Sequence, residues 1–382
     1  MKTLSLYYAT NRKHLGPDGS KPTGYGSEFS THGLENLRFG YLELDVDETV
    51  ISSNLAMETG FGRGSGNKLA EALTPLIVQG GARIETFPEA IVADQPDAVQ
   101  PSSSFGSQAM FEELKTVMMA CSDVVIYIHG FNVSWSDAVA SSLALQESLN
   151  QSDPGKPDQN VMVVLFSWPS DGMALPYVSY MSDRAEAKAS GAALGRGFLK
   201  ARDYLATVRT QGARGKIAAC GQDLHLLCHS MGNYALQCAL ERMADHTPGY
   251  TFPRLFDNIF LCAADVDDDA LEEGEPLGDV HELARYVTIY CNKDDMAVFI
   301  SHYTKAHPER LGHNGPARPA LMHNKEHSVS CTAIVTGLVE HSYYQDGKVN
   351  QDIRFSIAGV EFDDPIRQRV RDRDLPNVWS MK

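Results

Sequence analysis

Six short apolar runs rich in β-branched residues alternate with long helical stretches from residue 124 onward. The runs span 124–128, 161–166, 224–228, 258–262, 286–290 and 329–335. Between them, helix-period stretches cover 136–149, 183–208 and 232–245. A strand that is apolar at nearly every position is covered on both faces, and helices joining such strands make the pairing parallel. The pattern predicts an α/β fold with a mostly parallel central sheet and helices on both faces. Open sheets of this kind carry their active sites at the carboxyl ends of the strands. The residues just after each run therefore decide function.

The 382 residues fit one large α/β domain with additions. Before the regular pattern lie alternating runs at 4–9 and 39–44, a helix-like stretch at 67–78, and a Pro/Ser/Gln/Asp-rich boundary at 93–107. The expected organisation is an N-terminal extension packed on the core (1–107), a catalytic domain (108–350) and a C-terminal tail (351–382). Lys and Arg total 33 against 49 Asp and Glu, a formal charge of −16. An acidic surface repels nucleic acid and anionic membrane, which excludes both as main partners. Seven cysteines cannot all pair, none forms a CxxC, and Cys228, Cys262 and Cys291 sit in apolar runs as reduced core residues. The opening MKTLSLYYATNRK has no apolar leader core, and no apolar run approaches 18 residues. The expectation is a cytoplasmic protein without an integral membrane segment.

After the third run comes Cys228-His229-Ser230-Met231-Gly232, then a helix. Small residues at both ends of this string let the backbone turn sharply, so the Ser230 hydroxyl stands free between strand and helix, as a nucleophile requires. A bland alternative is a serine that caps the helix. The first run ends in Tyr127-Ile128-His129-Gly130-Phe131-Asn132. Acyl transfer needs N–H donors for a developing oxyanion, and in such a sheet Phe131 and Met231 can supply them.

The strings YIHGFN, FSWPSDG, CHSMGN, AADVD, YCNKDD and EHSYY, in that order, resemble the α/β-hydrolase superfamily. More narrowly they resemble a bacterial family of esterase/lipase-superfamily proteins of poorly defined function, whose start is similar to YYATNR here. The resemblance implies a Ser…Asp…His chain order. Two strands end in acids, one leading to Asp265 and the next to Asp294-Asp295. The superfamily draws its acid from the later strand end, which favours Asp295 and leaves Asp265 as the alternative. The base lies downstream of the last strand, where His341 matches the family's His-Ser-Tyr string. The implied activity is hydrolysis of a small-molecule acyl ester through Ser230, Asp295 and His341, with no cofactor. A lipase, phospholipase or amidase would use the same triad. Trp168, Tyr177 and Tyr180 follow a neighbouring strand and are candidates for walling the acyl site or for core packing. The 300–325 stretch between acid and base is long enough for a cap, with Gly312 and Gly315 as hinges.

Rival signals are weaker. Gly60–Lys68 is glycine-rich but fails both phosphate-loop spacings and reads as a flexible loop. The acids at 265–269 lack the glycine and the glutamate of a calcium loop. His323-Asn-Lys-Glu326-His327 fits an inverted zinc-protease string, which requires both histidines on one face of a helix. That would make a zinc hydrolase; a hydrolase fold reused as a binding module would lack a triad member.

Overall fold

A computed structural model describes residues 1–87, 106–153, 159–170, 176–213, 222–247, 249, 251–295, 297, 309–335 and 340–382. The strands of its central sheet are β1 (Lys2–Thr10), β2 (Arg38–Val46), β3 (Ala82–Thr86), β4 (Asp123–Ile128), β5 (Val161–Ser167) and β6 (Asp223–His229). They continue with β7 (Phe256–Cys262), β8 (Ala284–Cys291), β9 (Glu326–Ser330), β10 (Arg369–Arg371) and β11 (Val378–Met381). These form one 11-stranded sheet in the order β10-β11-β9-β8-β7-β6-β4-β5-β1-β2-β3. From β1 through β11 every neighbouring pair is parallel, as helical crossovers require. Antiparallel strands finish both edges, β2 and β3 at one and β10 at the other.

The helices are α1 (Glu48–Leu55), α2 (Gly66–Val78), α3 (Gly106–Met118), α4 (Trp135–Leu149), α5 (Pro176–Ala213), α6 (Gly232–Ala244), α7 (Leu311–Asn314) and α8 (Gly347–Ile357). Two large cores explain the near-continuous apolar strands. Leu69 and Leu73 of α2, Leu143 of α4 and Ile353 of α8 pack with Val125, Tyr127 and Val163 on one face. Leu194 and Phe198 of α5 and Leu236 and Leu240 of α6 pack with Ile128, Leu226 and Ile259 on the other. Successive strand side chains alternate faces, and here both faces are dry.

The N-terminal segment is part of this sheet. β1 runs parallel beside β5, with Tyr7 opposite Val164 and Thr10 opposite Ser167. At the far end, β11 of the C-terminal segment pairs with β9. The last apolar run is displaced from its strand: β9 spans Glu326–Ser330, and the chain turns at Cys331, whose carbonyl accepts from Ile334 and Val335 N–H. Buried Glu326, His327 and Ser328 begin the strand, and of the apolar run only Val329 and Ser330 belong to it. A pattern that counts apolar residues cannot find them. Among the described residues, no helix is long and apolar enough to cross a membrane.

Candidate active site

Ser230 sits between β6 and α6 with φ +52°, a left-handed conformation that costs a non-glycine residue roughly 1–3 kcal/mol. The turn is held from several sides. Ser230 N–H donates to Cys262 O at 2.9 Å, and Asp265 N–H donates to Ser230 O at 3.2 Å. Asn233 Nδ2 donates to Ser230 O at 3.0 Å and Cys228 O at 3.2 Å. A Cβ on Gly232 would lie 2.6 Å from Ile128 O, so only glycine fits there. The helix-capping alternative fails: Met231 is the N-cap of α6 and no side chain caps that end.

The loop after β4 approaches the same turn. A Cβ on Gly130 would lie 2.7 Å from Ser230 Cβ, which makes the second glycine obligatory. Among the described residues, no acceptor takes the N–H of Phe131 or Met231. His129 beneath them is fully buried. Its Nδ1 donates to Gly130 O at 2.9 Å, because a carbonyl can only accept, and Ser167 Oγ lies 3.2 Å from its Nε2. Burial, aided by the Arg12 guanidinium, pushes its pKa down to about 3, so the ring is neutral.

His341 and Asp295 meet. His341 Nδ1 donates to Asp295 Oδ2 at 2.8 Å. Asp295 is fully buried, and its Oδ1 accepts Ala297 N–H at 3.0 Å. His229, the neighbour of Ser230 in the chain, packs its ring 4.6 Å from that of His341, and its Nε2 lies 3.2 Å from His341 O. The end of β6 and the segment bearing His341 are thus in contact. Burial holds His229 well below the ordinary imidazole range, with the neighbouring His341 adding to the shift. Asp265 lies elsewhere in the network: it accepts the Tyr180 hydroxyl at 2.6 Å and pairs with buried Arg310 at 3.4 Å.

Trp168 is fully buried, donates Nε1 to His129 O at 2.9 Å and stacks on the His129 ring at 5.1 Å. A side chain with no exposed surface supports the loop rather than facing a cleft. Tyr180 packs edge-on against Phe131 at 5.6 Å. The Tyr177 side chain lies outside the described residues, as do 300–308 of the expected cap. In the described remainder, Gly312 N–H donates to Ala264 O and its carbonyl accepts Asn292 N–H, tying this glycine to the strand ends rather than leaving it to bend.

The Gly60–Lys68 segment is not wholly loop: it includes the Gly62–Arg63 strand and the first residues of α2. Gly62–Arg63 within it pairs antiparallel with Glu58–Thr59, and Asn67 Nδ2 donates to Asp346 Oδ2 at 2.9 Å. It borders a cavity of about 620 Å³ whose wall includes His341 with Lys68, Glu71, Asp137 and Glu340.

The zinc string does not converge. Glu326 and His327 are consecutive in β9 and so point to opposite faces of the sheet. His327 stacks on Phe362 at 3.7 Å, while His323 stacks on His281 at 3.9 Å. Among the described residues, no three His, Cys, Asp or Glu side chains are grouped to hold a metal.

The family described as alpha/beta hydrolase of unknown function (DUF900) matches residues 107–346. The chain belongs to that family of alpha/beta hydrolases. The match runs from the start of α3 to the end of the segment carrying His341, and so takes in Ser230, Asp295 and His341. No curated protein matches the chain. Several supporting residues of this alpha/beta hydrolase escape sequence reasoning. Arg12, Ser170 and Asp183 are all buried, and their partners lie far away in the chain. The only signal for Arg12 was a charge at the end of an apolar strand within YYATNR.

Proposed function

We propose that this protein is a serine hydrolase that cleaves carboxylic esters through an acyl-enzyme on Ser230. The observation that carries the reading is the 2.8 Å hydrogen bond from His341 Nδ1 to buried Asp295; His341 also packs on His229, whose chain neighbour Ser230 holds the left-handed strand-to-helix turn. Nδ1–H fixes the tautomer in which Nε2 can take the Ser230 proton, and the carboxylate stabilises the imidazolium that results. The Phe131 and Met231 N–H groups are the oxyanion donors, each worth about 10²–10³ in rate. His341 then protonates the departing alkoxide, and water deacylates Ser230 by the same route in reverse. An ester is favoured over an amide because its leaving group departs with little help; lipid esters would use the same machinery.

The test is covalent. A fluorophosphonate probe should label the protein once, at Ser230, and Ser230→Ala should take up none. Undiminished labelling of that variant would move the nucleophile elsewhere and end this reading.

A further inference from the structure

The loop that carries Phe131 is held from below by two buried charged residues that the proposed chemistry does not use. Asn132, directly after Phe131, has φ +58°. Its N–H donates to Asp183 Oδ2 at 3.0 Å. The next N–H, of Val133, donates to Ser170 Oγ at 3.1 Å, and the Ser170 hydroxyl in turn donates to the same Asp183 oxygen. Asp183 on α5 and Ser170 after β5 are both fully buried. Two successive N–H groups are therefore taken by one carboxylate–hydroxyl unit, and the preceding one, Phe131 N–H, has no acceptor among the described residues.

Arg12, two residues past the end of β1, closes the arrangement. Only 1% exposed, it donates Nη2 to Val133 O at 2.8 Å, Nη1 to Ser170 O at 3.3 Å and Nε to Ser167 Oγ at 2.8 Å. Burying a guanidinium and a carboxylate costs several kcal/mol per ion before pairing. A turn that needed only to connect a strand to a helix would not require them. An oxyanion donor does require it, because a preorganised N–H stabilises charge only when no reorganisation is needed at the moment of reaction.

We infer that Asp183 is a positioning residue for the oxyanion loop: by holding Asn132 N–H and the Ser170 hydroxyl, it fixes the left-handed turn that aims Phe131 N–H at the reacting carbonyl. This rests on the serine-hydrolase reading. The interaction it supports exists only in the transition state, so its loss should appear in kcat and not in KM.

The experiment compares Asp183→Ala, Asp183→Asn and Ser170→Ala with wild type on p-nitrophenyl butyrate, with active sites counted by burst titration. A trifluoromethyl ketone, which adds to Ser230 and leaves its oxyanion in the same hole, supplies the second readout. Asp183→Ala should lose about 10²-fold in kcat per titrated site, the scale of one oxyanion donor, with KM within about threefold. Its ketone Ki should rise by the same factor as kcat/KM falls. Asp183→Asn keeps an acceptor oxygen and should lose only about tenfold, with Ser170→Ala similar. If Asp183→Ala fails to fold, the other two carry the same criteria. A merely structural role would lower the number of titrated sites and leave kcat per site and ketone Ki unchanged; that outcome overturns the inference. A wild type indifferent to the ketone, with Ser230→Ala fully active, would instead overturn the serine reading itself.

Discussion

His341 Nδ1 donates to Asp295 Oδ2 across 46 residues of sequence, at 2.8 Å and with the carboxylate fully buried. The other strand-end acid, Asp265, is bound to Arg310 and Tyr180. Substitution should separate the two. Asp295→Asn should lower kcat by about 10⁴ with little loss of fold, because an amide cannot enforce the required tautomer. Asp265→Asn should cost about 3 kcal/mol of stability or less, since buried Arg310 keeps Asp267, while activity per folded molecule stays within a fewfold. Urea titration and active-site-normalised kcat measure both. Reversed results would give the acid's role to Asp265.

The left-handed turn makes a second, sharper demand. Ser230→Ala and Ser230→Gly should each reduce ester hydrolysis by about 10⁴–10⁶-fold. They should differ in stability, since alanine at φ +52° keeps the Cβ clash that glycine lacks. The glycine variant should be more stable than the alanine variant by about 1 kcal/mol, although glycine ordinarily loses stability to alanine. Equal midpoints in urea would show that the turn at 230 is not strained.

Much of the fold was legible because the information is local. Strands such as 258–262 and the helix after Gly232 follow from apolar runs and from small residues around Ser230. The strand at Glu326–Ser330 was misplaced because its first three buried residues are polar, while the apolar run continues past its end. The membership of β1 and β2 in the central sheet was not legible either, since strand order is set by pairing between distant segments. The same limit hid the loop supports. Asp183 lies within Ser-Asp-Arg-Ala-Glu, which reads as a solvated helix face, and its partners Asn132 and Ser170 belong to other elements. Arg12 and Ser167 are 155 residues apart. Periodicity reports which face is buried, not which distant group is waiting there.

The donor geometry around His323 and His327 predicts the response to chelators. The two rings stack on different partners, His281 and Phe362, and Glu326 lies on the other face of β9 from His327. EDTA should leave ester hydrolysis unchanged. His327→Ala should retain most activity per folded molecule, with a stability loss from the missing contact on Phe362, whereas His341→Ala should lose at least about 10³-fold. Inactivation by EDTA together with an active His341→Ala would replace the serine mechanism with a metal one.

Glu326 gives the last prediction, which concerns stability and pH. The side chain is fully buried in β9, with His323 N–H donating to its Oε2 at 2.9 Å and His281 Nδ1 3.7 Å from its Oε1. Burial pushes its pKa up to about 7, against an ordinary 4.5, with the His323 N–H opposing. The folded protein therefore keeps a proton that the unfolded chain releases above about 4.5. The stability tied to that proton is fully present below about pH 4.5 and is lost as pH rises through 7, a change of about 3 kcal/mol. Neighbouring His327 has the opposite slope. Burial, with Arg369, Arg367 and Arg371 nearby, pushes its pKa down to about 4 from an ordinary 6.5, so it contributes stability that disappears as pH falls through that interval. The two effects overlap in the wild-type profile, and subtraction isolates the glutamate. Glu326→Gln removes only the carboxyl titration, so the stability of the variant minus that of wild type should rise by about 2–3 kcal/mol between pH 5 and pH 8. Urea unfolding at pH 5, 6, 7 and 8 measures it. A difference that stays flat across that range would mean that Glu326 ionises alike in the folded and unfolded chains, despite its burial.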